Sequence, residues 1–281
     1  MDPLLPPPKP LAHWLARFDA APLPVQPETA HRFELLRAAE EHVDAHQIAD
    51  ELGGDPLFVT RVLAHVAALR RRRGYGEDAG GGPETLTEAL VLLGIAPLFR
   101  SWNEPLTAVP LTGPAGEGFA GVLRRAHRGA RFSLAFANHR GDHDAAVLHE
   151  AALLHGIAEL LLWLHEPLLA QEIAARQAAD PTLRSDTVQA QLLGVTLAEI
   201  QHALMLRWSL PPLVVHLADA QVSQGPNALA QRNVALAVRL ARHSALGWDN
   251  AALPDDYRDI ADLLHLSPAH AEHLVRDVDG D

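Results

Sequence analysis

The stretch "EAALLHGIAELLL", residues 150–162, decides how this chain folds. Apart from Glu150 and Glu159 it is aliphatic, with His155 at its centre and Gly156 directly after it. Spaced at 100° per residue, Val147, Leu154, Ile157, Ala158 and Leu161 fill one arc of a helix expected over 144–165, and Leu148, Ala151 and Leu162 widen it. Only a narrow strip, Ala145, His149, Gly156, Glu159 and Trp163, faces away. A helix apolar around most of its girth belongs in a protein interior. His155 falls at the edge of the apolar arc, so its ring should be desolvated and neutral. Glu150 falls within the arc, where a carboxylate needs a partner; an arginine of the preceding helix is the expected one. His155 has three readings on these grounds alone: metal ligand, catalytic base, or core histidine with a hydrogen-bond partner.

The rest of the chain is built in the same idiom. Of 281 residues, 48% are hydrophobic and 21% charged, with few aromatics and much Ala and Leu, a helix-forming composition. A proline-rich arm opens the chain. From Glu28 the period is helical, with Phe33, Leu36 and Val43 on one face. Asp55-Pro56 starts a helix that ends in Arg70–Arg73, cations suited to a helix C-terminus. Thr85 with Glu88, and Thr196 with Glu199, are capping boxes, and Ser267-Pro268 is another start. "GYGEDAGGGPE" (74–84) reads as a flexible loop and "EPLTAVPLTGPAGEG" (104–118) as a linker. A helix covering 96–103 precedes that linker. Beyond it, helices are expected near 118–139, 144–165, 167–179, 185–193, 197–208, 211–222, 227–245, 256–264 and 268–278. No alternating strand pattern or fixed repeat is present. The expectation is an all-α, multi-helix protein in two packed lobes. An arm with a short helix occupies 1–20. The main domain spans 21–245, as one lobe over 21–104 and another over 118–245, and a helical extension fills 246–281.

Composition removes several chemistries. There is no cysteine, so disulfides, thiolate catalysis and cysteine zinc sites are excluded. Lys9 is the only lysine. Neither a nucleophile elbow nor a Gly-Lys phosphate loop is present. The formal charge of −12 opposes direct nucleic-acid binding. The two local basic clusters, Arg70–Arg73 and Arg124/Arg125/Arg128/Arg131, read as solvated helix faces sooner than as phosphate or acidic-partner sites. The 17 histidines make net charge sensitive to pH just below neutrality. His139 and His143 stand four apart, but Gly141 between them makes a turn with a polar cap at Asp142 or Asp144 the better reading than a metal pair. His270 and His273 read as an exposed face. The first residues lack a signal-peptide pattern, and no apolar run is expected to reach the roughly 18–20 residues of a membrane span. The expected location is the cytoplasm.

Six blocks in order carry a resemblance: "DELGGDPLFVTRVLAHV" (50–66), "TLTEALVLLGI" (85–95), "RRAHRGARFSLAFA" (124–137), "AALLHGIAELLL" (151–162), "LLGVTLAEIQHALMLRWSLPPLVV" (192–215) and "LAVRLAR" (236–242). Together they resemble the HDOD family, the non-catalytic output-domain branch of the HD superfamily of metal-dependent phosphohydrolases, over about residues 20–245. The resemblance implies an HD/HDOD-like helical fold and a bacterial regulatory role through protein partners. In the hydrolases, a histidine, a His-Asp pair and a late aspartate hold the metal. Here those positions read His127, His155, Gly156 and Val238, so both carboxylates are gone. Two neutral imidazoles are a weak shell for a hard dication, with no anionic ligand beside the water to be activated. The resemblance makes His155 a former ligand and implies no catalysis, no cofactor and no metal. The chain also departs from the HDOD pattern, with Ala67-Ala68, Leu197 and Gln201 replacing its usual polar or small residues. Two other readings remain open. One is a small-ligand or nucleotide sensor using the vestigial pocket with Arg124, Arg125 or Arg128; the other, more remote, is a surviving metal-dependent phosphohydrolase.

Overall fold

Side-chain caps fix five of the helix starts, at Asp44, Asp55, Thr85, Thr196 and Ser267. The structure, a computed structural model, describes residues 6–280 apart from 21, 75–81, 103, 181–182 and 220–224. The helices are α1 (Leu11–Phe18), α2 (Pro27–Ala38), α3 (Ala45–Leu52), α4 (Pro56–Arg72), α5 (Leu86–Leu93), α6 (Ile95–Ser101), α7 (Gly113–Arg140) and α8 (Ala145–Leu154). They continue with α9 (Ile157–His165), α10 (Pro167–Ala179), α11 (Ser185–Leu193), α12 (Leu197–Arg207), α13 (Pro212–Leu217), α14 (Ala228–His243), α15 (Leu253–Leu264) and α16 (Pro268–Asp279). No strand occurs among the described residues, only an isolated bridge between Val25 and Ala108. The fold is all-α, as the periodicity predicts.

Both capping boxes form: Thr85 Oγ1 accepts from Glu88 N–H, and Thr196 Oγ1 from Glu199 N–H. Ser267 caps α16. Asp55 does two jobs from a buried position. Its Oδ1 accepts from Leu57 N–H at 2.9 Å and caps α4, while its Oδ2 accepts from Gln26 N–H at 2.6 Å and ties down the entry to α2. Helix α2 stops at Ala38, short of the expected run to Val43, and a 3-10 turn (Glu40–His42) follows. Of the expected loop 74–84, most lies outside the described residues, as do Asn103 and residues 220–222 of the expected helix 211–222.

The described chain divides into two compact units. The first comprises residues up to Val122 with Gly156–Pro211, and the second comprises Leu123–His155 with the chain from Pro212 onward. The proline- and glycine-rich segment 104–118 lies within the first unit, where Val25 N–H donates to Thr107 O at 2.9 Å and Val109 N–H to Val25 O at 2.8 Å.

In the first unit, Phe33, Phe58 and Phe99 make an edge-to-face aromatic cluster, with Phe33–Phe99 centroids 5.2 Å apart. Helix α9 packs against α1, α10 and α12. Trp14 and Phe18 dock α1, and Trp14 Nε1 donates to Leu193 O at 3.0 Å. Trp208 Nε1 and Arg207 Nε both donate to Asp19. In the second unit, α8 packs against α13 and α14. Phe132, Phe136, Leu240, Ile260 and Val275 belong to one core shared by α7, α14, α15 and α16. Buried Asp256 accepts from Arg239 Nε and pairs with His243 Nδ1, each at 2.7 Å, and so holds α15 to α14.

Two expectations about the central stretch need correction. The single helix 144–165 is broken: His155 is the C-cap of α8 and Gly156 the N-cap of α9. Trp163, placed on the outward strip, is buried at 7% exposure. Gly118 explains it. A Cβ there would stand 2.3 Å from the Trp163 indole, so the ring lies flat against a bare helix backbone. The same glycine disguised the start of α7, which begins at Gly113 and not at 118. Pro114 sits in the first turn, where its missing N–H is no loss. By length and composition Ala145–His165 is also enough to cross a membrane, contrary to the expectation above; most of it is buried inside the protein.

Gly118→Ala is expected to destabilise the protein by about 1–3 kcal/mol in denaturant unfolding, through overpacking against Trp163. Helix propensity alone predicts a gain of about 1 kcal/mol, so the sign decides between the two. Trp163→Leu in the same chain should recover part of the loss.

Candidate functional site

Of the vestigial positions, two lie on α7 and α14, while His155 caps the end of α8 and Gly156 the start of α9. Helix α7 carries His127, and α14 carries Val238 in the second unit. Buried Ser133 joins these helices: its Oγ donates to Leu148 O at 3.0 Å, and its carbonyl accepts from Asn233 Nδ2 at 3.1 Å. Gly129, two residues after His127, faces Val238 and Ala241 of α14. A Cβ built there would be 3.6 Å from both Cα and Cγ2 of Val238. Hydrocarbon therefore fills the place where the family pattern puts its late aspartate.

His155 is partly buried where α8 ends. Burial pushes its pKa down to about 4, and the Arg242 cation pushes the same way; a backbone hydrogen bond and Asp219 oppose them. The ring is neutral at pH 7, as its edge position on the apolar arc predicts. His149 is also held below the usual histidine range, first by burial and then by the neighbouring charge of His127. Glu150 is buried at 7% exposure. Gly156 contributes no side chain, and a Cβ on it would come within 3.3 Å of Val122 Cγ1.

Among the described residues, no group of three or more His, Cys, Asp or Glu side chains is arranged to hold a metal ion. His127 and His155 offer imidazole nitrogen, while Gly156 and Val238 offer no ligand atom. Asp219 is near enough to bias His155 electrostatically but completes no such group. The residues present do not fit the dication of the HD hydrolases.

The arginines read as anion contacts are differently employed. Arg128 is held by Asp279: Nε to Oδ1 at 2.9 Å and Nη2 to Oδ2 at 2.7 Å. Its Nη1 donates to Ser244 O at 2.9 Å, and its guanidinium lies over Phe132 and Trp248. Arg128 clamps α16 to α7 and has no free fork for a ligand. Arg131, on the same helix, joins the clamp at 3.1 Å. Arg124 is exposed and Arg125 half-buried. His139 and His143 are exposed on either side of a turn at Gly141 (φ +69°), and Asp142 pairs with Arg140 at 3.2 Å. His270 accepts or donates to Ser267 Oγ at 3.0 Å in the α16 cap.

Sequence reasoning missed His149 beside His127, and Arg242 and Asp219 around His155. No spacing announces them, because packing of α7, α8, α13 and α14 brings them together.

A family model, the HDOD domain, matches residues 23–223. Among solved structures, the chain is similar to the response regulator MmoQ from Methylococcus capsulatus strain Bath, at 17% identity and a TM-score of 0.69, over 91% of this chain and 98% of that one. It is similar as well to a virulence factor from Campylobacter jejuni, at 15% identity and a TM-score of 0.65, over 96% of this chain and 94% of that one. At such identities the likeness shows a shared fold. No curated protein matches the chain.

Because the folded His155 pKa lies below its ordinary 6.5, the unfolded chain takes up the proton first as pH falls. Stability should therefore be fully present above pH 6.5 and decline towards pH 4, with His155 contributing up to about 3 kcal/mol of the loss. His65, His149 and His165, all depressed chiefly by burial, act in the same direction. His155→Gln should flatten the pH dependence of the unfolding midpoint over this window; an unchanged slope would contradict the assignment.

Proposed function

The chain belongs to the HDOD family, and on that premise we propose that it is a non-catalytic signalling protein that works by contacting other proteins. The family match and the likeness to a response regulator support a signalling role. One observation carries the non-catalytic half: Gly156 and Val238 stand where two anionic ligands would be needed, and Val238 is packed against the backbone at Gly129. A residual hydrolase would have to work from two imidazoles, and a dication needs anionic oxygen to be held firmly and to carry a water.

In this reading the protein acts in the cytoplasm, without a cofactor, and away from nucleic acid, which its formal charge of −12 repels. The sensor alternative loses one of its three arginines to Asp279.

The test combines two measurements on the full chain. Elemental analysis after incubation with manganese, iron or zinc should find no stoichiometric metal, and phosphomonoester and phosphodiester substrates should not turn over. Native co-purification should recover a reproducible protein partner. A stoichiometric metal, with turnover abolished in His127→Ala, would overturn the proposal.

A further inference from the structure

A groove in the first unit lies outside the vestigial site. Helices α4, α5 and α6 enclose a cavity of about 500 Å³. Its floor is hydrocarbon: Val66 and Leu69 from α4, Leu92 and Leu93 from α5, and Pro97 from α6. Its rim is cationic, formed by Arg70, Arg73 and Arg100. No acidic or aromatic side chain lines it among the described residues. Of the lining residues, Leu92 is 52% exposed.

The helix dipole accounts for part of this. Cations in the last turns of α4 and α6 are favourable on their own helices. It does not account for their convergence, from two helices, on one apolar cavity, nor for the Leu92 side chain left half in water beside it. Arg73 and Arg100 are exposed, and neither pairs with a carboxylate among the described residues. Like charges gathered over a low-dielectric floor repel one another, and an incoming carboxylate relieves that repulsion. The chain as a whole carries a formal −12, so this basic rim is a local exception to it.

The chemistry selects an occupant. An apolar floor made by three helices and edged with arginines suits the apolar anchors of a helix laid in a groove. The rim calls for carboxylates flanking those anchors. Nucleic acid is the poorer fit, because no aromatic ring is present to stack a base. We propose that the groove between α4, α5 and α6 docks an acidic amphipathic helix of a partner protein, whose apolar anchors enter the cavity while its carboxylates pair with Arg73 and Arg100. The inference rests on the protein-contact function proposed above and gives that function a surface.

The probe is a fluorescent, helix-forming synthetic peptide with leucines at i, i+4 and i+7 and glutamates on both flanks, titrated against the full chain by anisotropy. The glutamate peptide should bind, and binding should weaken with added salt. A lysine-for-glutamate peptide should not bind. Leu92→Glu and Arg73→Glu/Arg100→Glu should each weaken binding by about tenfold or more. These positions are exposed, so the unfolding midpoints should match wild type. Failure of the glutamate peptide to bind would overturn the proposal. So would equal binding of the lysine peptide, indifference to both variants, capture of a single-stranded oligonucleotide instead, or a self-association that the variants abolish while peptide binding is unchanged. The two proposals fail separately. If a natural partner recovered by co-purification is retained by Arg73→Glu/Arg100→Glu, the groove is wrong and the adaptor function stands. If wild type binds the peptide at the groove but recovers no partner from cells, the groove stands and the adaptor function falls.

Discussion

The whole structure turns on a helix that cannot stay whole. Residues 145–165 are apolar on nearly every side, so they must be buried on nearly every side, and one straight rod would have to find that cover from a single core. The chain instead interrupts the run at His155 and Gly156. Helix α8 then buries its faces against α13 and α14 in one unit, and α9 against α1, α10 and α12 in the other. Seven of the ten residues of α8, and six of the nine of α9, are buried, so each half is the central element of its own surroundings. A leucine-rich stretch that would be a liability as one exposed rod becomes two nuclei around which everything else is arranged.

Much of this was legible in the amino-acid order, because the signals are local. Thr85 with Glu88, Thr196 with Glu199, and Asp55 before Pro56 each place a helix start to the residue, since a cap involves groups only two or three positions apart. What was not legible depends on partners far along the chain. The glycines that begin α7 look like coil until Trp163 is laid against Gly118, 45 positions away along the numbering. Arg128 looks like a spare cation until Asp279, 151 residues distant, closes on it. Gly156 looks tolerable within a helix, and periodicity carries no sign that the chain will stop there.

The vestigial site shows the same division. His127, His155, Gly156 and Val238 could be assigned only through likeness to a family pattern, since nothing in composition marks them. Their surroundings come from packing alone: His149 next to His127, and Arg242 and Asp219 around His155. The net result is an interior where neutral imidazole is favoured and cationic imidazole is not. Such a place suits a core histidine in a folded scaffold.

One carbonyl has an outsized part in the first unit. Leu193 O, the last of α11, accepts both the Lys9 backbone N–H at 2.9 Å and the Trp14 indole N–H at 3.0 Å. Directly after it, Gly194 adopts φ +85°, and a Cβ there would meet Lys9 O at 2.5 Å. The opening arm and α1 are thus fastened to a single point on the backbone. Loss of order at the end of α11 would release both donors together, which makes the Trp14 indole proton a natural spectroscopic reporter for the integrity of that corner.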